Sequence, residues 1–177
     1  MDRQEISFKD LLVRPHHLWD EHWLLLTAGD FEAGRYNTMT VGWGSLGTMW
    51  GAPFAQVVVR PTRYTYQFME QYDTFTLCAF PETYREALQL LGTKSGRDGD
   101  KIAEAGLTPV AASQIAAPAF AEASLLVECR KIYWQDLSPA HFITPGIEKH
   151  YPEQNYHRVY FGQIVALRGV SSFVFAG

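Results

Sequence analysis

Residues 36–45 read Tyr-Asn-Thr-Met-Thr-Val-Gly-Trp-Gly-Ser, a run that mixes β-branched and aromatic residues with small and polar ones. β-Branched and aromatic residues favour a pleated, half-buried surface, so the run predicts a β-strand. Glycine inside a strand permits the close approach of a ligand or of another backbone. The stretch therefore predicts a strand whose backbone N–H and C=O groups can face a planar heterocycle.

Two groups of basic and hydroxyl residues follow that strand. The first runs Arg60-Pro-Thr-Arg-Tyr-Thr65, and the second runs Ser95-Gly-Arg-Asp-Gly-Asp-Lys101. Arginine and lysine neutralise phosphate, and hydroxyl groups add hydrogen bonds to it. We expect Arg60 and Arg63 to face the same phosphate, because they stand three residues apart across a strand-to-helix turn. Together with the strand, these groups indicate a mononucleotide site.

The same segments have plainer explanations. Arg60 and Arg63 can bridge acidic neighbours, and the loop over residues 92–99 can be a surface turn rather than a nest of backbone N–H groups around an anion. The glycines beside Trp43 can form a bulged corner of a barrel that binds nothing. A ligand-free structural or interaction barrel therefore stands beside the nucleotide-binding hypothesis.

Runs of strand-forming residues bounded by turn residues recur along the chain, while helical spacing is confined to the connections. This pattern predicts one mainly β domain over residues 1–177, with a lead-in segment of residues 1–20 and a six-stranded antiparallel barrel. Thr62 is the expected cap of the first helix, and Gly92 is the expected end of the second. The predicted strands cover residues 22–28, 36–45, 54–60, 74–80, 123–133 and 157–167, and the predicted helical segments cover residues 65–72, 84–91 and 100–105.

The composition indicates a packed protein. Hydrophobic residues make up 47% and aromatic residues 14% of the 177 positions, enough for a sizeable core. No apolar run approaches the roughly 18 residues of a membrane span, and the first residues lack the features of a signal peptide, so we expect a cytoplasmic protein. Cys78 and Cys129 each lie in an apolar strand-like run, which predicts reduced core thiols.

The net charge of −4 excludes a broad basic surface for nucleic acid or anionic lipid. Against this background, five basic residues fall within a span of 42 positions. A compact anion suits such a group better than a polymer does, although solvated surface charges explain the spacing equally well. The five residues are Arg60, Arg63, Lys94, Arg97 and Lys101.

Several familiar motifs are excluded by their context. The run from Gly42 to Gly47 matches G-x-G-x-x-G, but Gly51-Ala-Pro53 follows where a helix must begin. The loop after Gly92 lacks the Gly-Lys-Ser/Thr order of a P-loop. The six histidines show no zinc-ligand spacing, and no Gly-x-Ser-x-Gly elbow indicates a hydrolase. We predict neither a metal site nor a dedicated catalytic residue.

From about residue 23 to about residue 167, these segments together resemble the flavin reductase-like family, the FMN-binding split barrels. The resemblance implies a six-stranded split barrel that binds FMN and forms homodimers with the flavin near the interface. Asn37, Met39, Thr40, Gly42 and Trp43 would border the isoalloxazine ring. The ribityl phosphate would be held by Arg60, Arg63, Tyr64, Thr65, Ser95, Gly96 and Lys101.

Two positions depart from the family pattern. Residues 77–80 read Leu-Cys-Ala-Phe, where many relatives place Asn or Pro, and Gln163 replaces the usual Glu after a family histidine at His157. We therefore assign Gln163 no catalytic role, and the sequence does not define the role of His157. Trp43, Trp50 and Trp134 are candidates to stack above the ring, although aromatic residues more often pack in a core.

The resemblance implies an NAD(P)H-dependent FMN oxidoreductase in which the flavin carries the redox chemistry and the protein positions it. The alternative is a non-catalytic FMN-binding electron carrier that a partner protein reduces. A redox partner protein fits either function. The physiological acceptor and the choice between NADH and NADPH are not encoded in these motifs.

Overall fold

The computed structural model describes residues 1–175, and within them the backbone forms ten β-strands and three α-helices. A π-helix, His17–His22, precedes the second strand. Short 3-10 turns cover Phe8–Asp10, Glu82–Tyr84, Pro139–His141, Ile147–His150 and Ser171–Phe173. The strands are β1 (Gln4–Glu5), β2 (Leu24–Asp30), β3 (Arg35–Val41), β4 (Gly44–Met49), β5 (Ala52–Val59), β6 (Thr74–Ala79), β7 (Pro109–Val110), β8 (Ala119–Phe120), β9 (Leu125–Asp136) and β10 (Arg158–Gly169), and the helices are α1 (Tyr64–Gln71), α2 (Arg85–Thr93) and α3 (Lys101–Glu104).

Eight strands form one antiparallel sheet in the order β3-β2-β6-β9-β10-β5-β4, with β1 added beside β10. The pair β7 and β8 forms a separate ribbon in the connection after α3. The predicted class, mainly β with helices in the connections, is confirmed. Each of the six predicted strands is present, and β1 and β4 are the strands of this sheet that the sequence pattern missed.

The predicted strand over residues 36–45 is wrong in its second half. The chain leaves β3 at Val41 and begins β4 at Gly44, so Gly42 and Trp43 are all that separates two strands at opposite ends of the sheet. Three Cα steps span at most roughly 11 Å. The sheet must therefore curl until its ends meet, and since β3 and β4 are not paired, the barrel is split along this seam.

Gly44 is required at the seam by packing. A Cβ on Gly44 would lie 2.4 Å from the carbonyl oxygen of Gln56 and 2.4 Å from the ring of Trp19. Trp19 is buried and belongs to the main core, so neither neighbour is free to move away. The groups that approach Gly44 closely are therefore the backbone of Gln56 and the indole ring of Trp19.

Strand β2 is buried on both faces, from Leu24 to Gly29. Leu24 and Leu26 point into the barrel, where they join the main core. Leu25 points outward and packs in a second cluster with Leu88 and Leu91 of α2. The amphipathic helix thus covers the outer face of the sheet, and it positions the loop that follows it beside β3.

The helices differ from the prediction at their ends. Helix α1 has Arg63, not Thr62, at its N-cap, and α2 runs past Gly92 to Thr93. A Cβ at Gly92 would lie 3.2 Å from Cβ of Thr40, so this glycine lets α2 approach β3 closely instead of ending the helix. Asp100 is the N-cap of α3, and its side chain accepts hydrogen bonds from the backbone N–H groups of Ile102 and Ala103.

No helix within residues 1–175 is long and apolar enough to cross a membrane.

Both cysteines are buried and free, as predicted. Burial raises the pKa of Cys78 to about 12 and raises that of Cys129 well above its usual value. Thiolates are the reactive form of cysteine, so these two side chains act as small core residues.

Candidate functional site

Two pockets adjoin one another along the end of β3. The first, the cationic pocket, has a volume of about 140 Å³ and lies between β3, the start of α1 and the loop after α2. The second, the seam pocket, has a volume of about 210 Å³ and lies over the β3–β4 seam. The side chain of Met39 lines both, so the pockets form one track. The cationic pocket is lined by Asn37, Met39, Thr62, Arg63, Tyr64, Thr93, Lys94, Ser95, Gly96, Arg97 and Lys101, and the seam pocket by Met39, Thr40, Val41, Gly42, Trp43, Val58, Arg60 and His157.

Lys101 is the most buried cation of the cationic pocket, with only 3% of its surface exposed. Its ammonium donates to the carbonyl oxygens of Leu91 and Lys94, each at 2.9 Å, at the C-terminal end of α2. An ammonium has three donors, so one remains for a ligand. Burial, and then the nearby charge of Arg63, lower the pKa of Lys101 to about 8.

Arg63 reaches the same end of α2, where it donates to the carbonyl oxygen of Gly92. This bond leaves four of the five guanidinium N–H groups for other acceptors. Burial and the charge of Arg60 lower the pKa of Arg63, which is a cation throughout the neutral range all the same. A third cation, Arg97, lies with its guanidinium 4.7 Å from the ring centroid of Tyr64.

The wall of the cationic pocket is set by Asn37. Its Nδ2 donates a hydrogen bond to Oγ1 of Thr65 at 2.7 Å, and this bond holds the amide group in position. A Cβ on Gly96 would lie 2.1 Å from Oδ1 of Asn37 and 3.0 Å from the ring of Tyr64. Glycine is therefore needed at position 96, because any side chain would push the loop off β3 and open the pocket.

The seam pocket is walled by aromatic and basic side chains. Trp43 stands 49% exposed at its edge, with its ring centroid 5.2 Å from that of His157 and 5.5 Å from that of His150. Val58 enters from β5, and Arg60 follows the last residue of that strand. The seam pocket thus has one apolar wall and one cation.

His157 is held in a fixed position at the bottom of the seam pocket. The hydroxyl of Tyr151 is hydrogen-bonded to Nδ1 of His157 at 2.8 Å, and both residues are buried. Burial, and then the charge of Arg60, lower the pKa of His157 to about 4. The imidazole is therefore neutral at physiological pH, and its Nε2 can donate to or accept from a ligand according to the tautomer.

Arg60 is tied to the loop before β10. Its guanidinium donates to Oδ1 of Asn155 at 2.9 Å and to the carbonyl oxygen of His150 at 2.6 Å, and it lies over the ring of Tyr151. Arg63 lines the cationic pocket, whereas Arg60 lines the adjoining seam pocket. The expectation that both face one phosphate stays a prediction.

The structure places eleven of the twelve predicted site residues on the wall of one pocket or the other. Thr65 is the twelfth: it lines neither pocket, is 1% exposed, and acts on the site only through its bond to Asn37. Those in the cationic pocket are Asn37, Met39, Arg63, Tyr64, Ser95, Gly96 and Lys101, and those in the seam pocket are Met39, Thr40, Gly42, Trp43 and Arg60.

Seven lining residues fell outside the predicted set: Val41, Val58, Thr62, Thr93, Lys94, Arg97 and His157. Lys94 and Arg97 belong to the basic group that drew attention to this region. His157 had a family counterpart but no predicted contact. Of the tryptophans proposed for stacking, Trp50 instead contacts Tyr133 and Phe161, and Trp134 lies under the guanidinium of Arg158.

The two pockets together fit a mononucleotide with a planar base. Four basic residues and the hydroxyl-bearing Ser95 line one end, and although Lys94 is paired with Glu104, the cationic excess suits a phosphate dianion. At the other end, the edge of β3, the indole of Trp43 and the neutral imidazole of His157 suit a flat, hydrogen-bonding ring system. A larger apolar cavity of about 690 Å³, between the N-terminal segment and the residues after β10, includes none of the predicted site residues.

Comparison with known families gives one match. The model of the family described as "Flavin reductase like domain" matches residues 22–172, a range that contains both pockets. No curated protein sequence matches the chain.

Solved structures share the fold at low sequence identity. An FMN-binding domain of a flavin reductase-like enzyme from Shewanella baltica OS155 is 16% identical with a TM-score of 0.68, and the match covers 95% of this chain and 77% of that one. Flavoredoxin of Desulfovibrio vulgaris (Miyazaki F) is 23% identical with a TM-score of 0.65, over 85% of this chain and 70% of that one. An NADH:FAD oxidoreductase of Streptomyces globisporus C-1027 is 14% identical with a TM-score of 0.61, and the match covers 82% of this chain and 74% of that one.

Proposed function

Because the chain belongs to the flavin reductase-like domain family, we propose that it binds FMN and acts as an oxidoreductase of the flavin reductase type, with NADH or NADPH as the electron donor. The observation that carries this proposal is the track formed by the two pockets. A cation-lined pocket and a ring-sized, aromatic pocket share Met39, as a ligand with a phosphate at one end and a heterocycle at the other requires.

At the phosphate end, Arg63 and Lys101 hold the ligand by charge-assisted hydrogen bonds, which are worth about 1.5 to 3 kcal/mol each. Both cations are positioned before the ligand arrives, since carbonyl groups at the end of α2 fix them. Little side-chain entropy is then lost on binding. Ser95 adds a hydroxyl from the loop that Gly96 holds against β3.

At the ring end, the backbone of β3 would orient the heterocycle, and Trp43 and Val58 would help to shield it from water. His157, kept neutral by burial, supplies one hydrogen bond without adding charge. Arg60 places a positive charge beside the ring, where it favours a ligand that becomes more negative on reduction. Bound FMN would supply the redox chemistry, which is two-electron transfer from a reduced nicotinamide to an acceptor.

The direct test is the reaction of the FMN-loaded protein with nicotinamide. The protein is saturated with FMN, freed of excess, made anaerobic, and mixed with NADH or with NADPH while the flavin absorbance near 450 nm is followed. Rapid bleaching by either donor supports the reductase function. Bound flavin that both donors leave oxidised, and that a chemical reductant bleaches, supports the electron carrier instead. A protein that retains no flavin at any concentration contradicts both.

A further inference from the structure

The apolar cavity of about 690 Å³ lies outside the track, between the segment before β2, the end of β6 and the residues after β10. It shares no lining residue with the cationic pocket or with the seam pocket. Its apolar walls are formed mainly by Leu12, Leu18, Phe80, Val170 and Phe173. Protein interiors are closely packed, and the few voids that they contain are small. Because the volume falls within the roughly 300 to 1,000 Å³ of small-molecule sites, the cavity is large enough to hold a ligand.

Within residues 1–175, every charged or titratable side chain that lines the apolar cavity is basic. These side chains are Arg14, His17 and His22. The rings of His17 and His22 meet edge to face, with their centroids 4.2 Å apart. Arg14 is exposed, and no ion pair in this part of the chain engages its guanidinium. An anionic group on a ligand would therefore meet complementary charge at this one wall.

One carboxylate lies close to the basic wall but does not line the apolar cavity. Oε2 of Glu21 accepts a hydrogen bond from Nδ1 of His17 at 2.7 Å. This bond and the charge of His17 lower the pKa of Glu21, and the charge of Arg14 contributes less. Since His17 is engaged by Glu21, Arg14 and His22 are the groups available to an anion.

The backbone of the basic wall is irregular. Residues His17–His22 form a π-helix, a rare structure that is frequent at functional sites. Residues five apart are neighbours in a π-helix, so this turn brings the rings of His17 and His22 together. Trp23 follows with φ of 63° and ψ of 162°, a strained conformation of the kind that clusters at functional sites. Arg85 supports the turn, because its guanidinium donates to the carbonyl oxygen of Glu21 and lies 3.2 Å from the centroid of the Trp23 ring.

We propose that the apolar cavity binds an amphipathic monocarboxylate, with its hydrocarbon body against the apolar walls and its carboxylate at Arg14 and His22. The basic wall selects an anion over a neutral or cationic amphiphile. The π-helix contacts both this cavity and the ring end of the track. The carbonyl oxygen of Trp19 and the ring of Trp23 would lie 3.2 and 3.3 Å from a Cβ on Gly42, which lines the seam pocket. The cavity is thus a second site beside the proposed flavin site, and both ligands can be bound at once.

The test measures the binding of decanoate, an alkyl carboxylate, and of decanol, its neutral counterpart, by titration calorimetry below the concentration at which micelles form. Each is titrated, with and without FMN, into the wild type, Arg14→Ala and Arg14→Glu. The matched control is Arg130→Ala, because Arg130 is an exposed arginine of β9 that lines neither the cavity nor the track. Decanoate should bind more tightly than decanol. Arg14→Ala should weaken decanoate binding roughly fivefold, the effect of one charge pair at a protein surface, and Arg14→Glu should weaken it further. Decanol binding and the control variant should be unchanged.

A second variant tests the apolar part of the site. Ser172 is an exposed residue on the cavity wall, so the indole of a Ser172→Trp variant would occupy part of the cavity without replacing a core residue. This variant should weaken decanoate and decanol binding alike, by roughly tenfold, since about two methylene groups would no longer find room.

Several results would overturn the proposal: decanoate that does not bind, that binds no better than decanol, or that binds Arg14→Glu or Ser172→Trp as tightly as the wild type. Decanoate that FMN displaces would also overturn it, because the carboxylate would then lie in the track. If decanoate does not bind and Ser172→Trp converts a dimer to a monomer, a second copy of the chain covers the cavity instead. Since none of these titrations requires bound flavin, a protein that binds decanoate but not FMN would contradict only the proposed function.

Discussion

At the scale of single residues, Lys101 connects the fold to the ligand. A buried ammonium that caps the C-terminal carbonyls of α2 would be a structural group, but its third donor and its place in the cationic pocket make it a binding group too. Because its pKa is lowered to about 8, its charge is only partly present above that pH. The sequence placed Lys101 in the site but gave no sign of this burial.

We therefore predict that FMN binding weakens as the pH rises from 7 to 9. The phosphate of FMN is already a dianion in this range, with its second pKa near 6, so the change reports the protein. Lys101 loses its proton above about pH 8, and the dissociation constant should then rise by up to about tenfold per pH unit. The measurement is quenching of flavin fluorescence in titrations at each pH.

The Lys101→Met variant is the matched comparison. It should bind FMN roughly tenfold or more weakly at pH 7 and lose the pH dependence, whereas Arg130→Ala should retain both the affinity and the dependence. Circular dichroism checks that the variant is folded. A wild-type affinity that is flat to pH 9, or a Lys101→Met variant with the same slope as the wild type, would remove Lys101 from the site.

His157 makes a second residue-scale prediction, on stability in acid. Its folded pKa is about 4, below the usual 6.5 of an unfolded histidine, so the unfolded state binds more protons between these values. Stability should therefore fall as the pH decreases from 6.5 to 4. The His157→Gln variant should lose less stability than the wild type over this interval, by about 1 to 3 kcal/mol, in urea titrations at several pH values. The exposed His141→Gln variant should behave like the wild type, and an identical loss in both variants would rule out a neutral, buried His157.

At the scale of elements, the hairpin of β4 and β5 depends on one glycine. We predict that Gly44→Ala destabilises the protein by about 1 to 3 kcal/mol, because its methyl group would meet the backbone of Gln56 and the buried ring of Trp19. Gly47→Ala is the control on the same strand, since its methyl group meets only the ring of Phe54, at 3.1 Å, and no backbone atom. Equal urea midpoints for Gly44→Ala and the wild type would show that the seam is looser than described.

The elements also show what the sequence could and could not predict. Alternation and turn residues located six of the seven strands that have six or more residues, since those signals are local. The break at Gly42 was missed because it depends on a non-local partner: residues 44–49 pair with β5 instead of extending β3 along β2. Gly92 was misassigned for a similar reason, as its neighbour Thr40 is distant in sequence.

Site residues could be predicted where they lie on elements that local sequence signals identify. Residues on β3 and on the loop after α2 were identified from their types and from family resemblance, and they line the track. The contacts of Arg60 were not foreseen, because its partners, Asn155 and the carbonyl of His150, lie 95 and 90 residues later. No spacing rule joins segments so far apart, and only the closed barrel brings them together.

At the scale of the whole molecule, we predict a homodimer. Trp50, Trp134, Tyr133 and Ile132 are 65%, 51%, 44% and 41% exposed, on the end of one hairpin and on β9. Exposed aromatic groups of this kind are typical of association surfaces. Sedimentation should give twice the mass of one chain, and Trp50→Gln should shift the equilibrium toward monomer without changing FMN binding at saturating ligand. A protein that sediments as a monomer even at about 100 times the concentration used in the binding titrations would contradict this prediction.

The central claim is that one ligand joins the cationic pocket to the seam pocket through its phosphate and its ring. The measurement that tests it most directly is a comparison of FMN with riboflavin, which lacks the phosphate, on the wild type and on Arg63→Ala. The wild type should bind FMN at least tenfold more tightly than riboflavin, and in Arg63→Ala this ratio should fall by roughly tenfold while riboflavin affinity is unchanged. Equal affinity of the wild type for the two flavins, or a ratio that survives the substitution, would contradict the account.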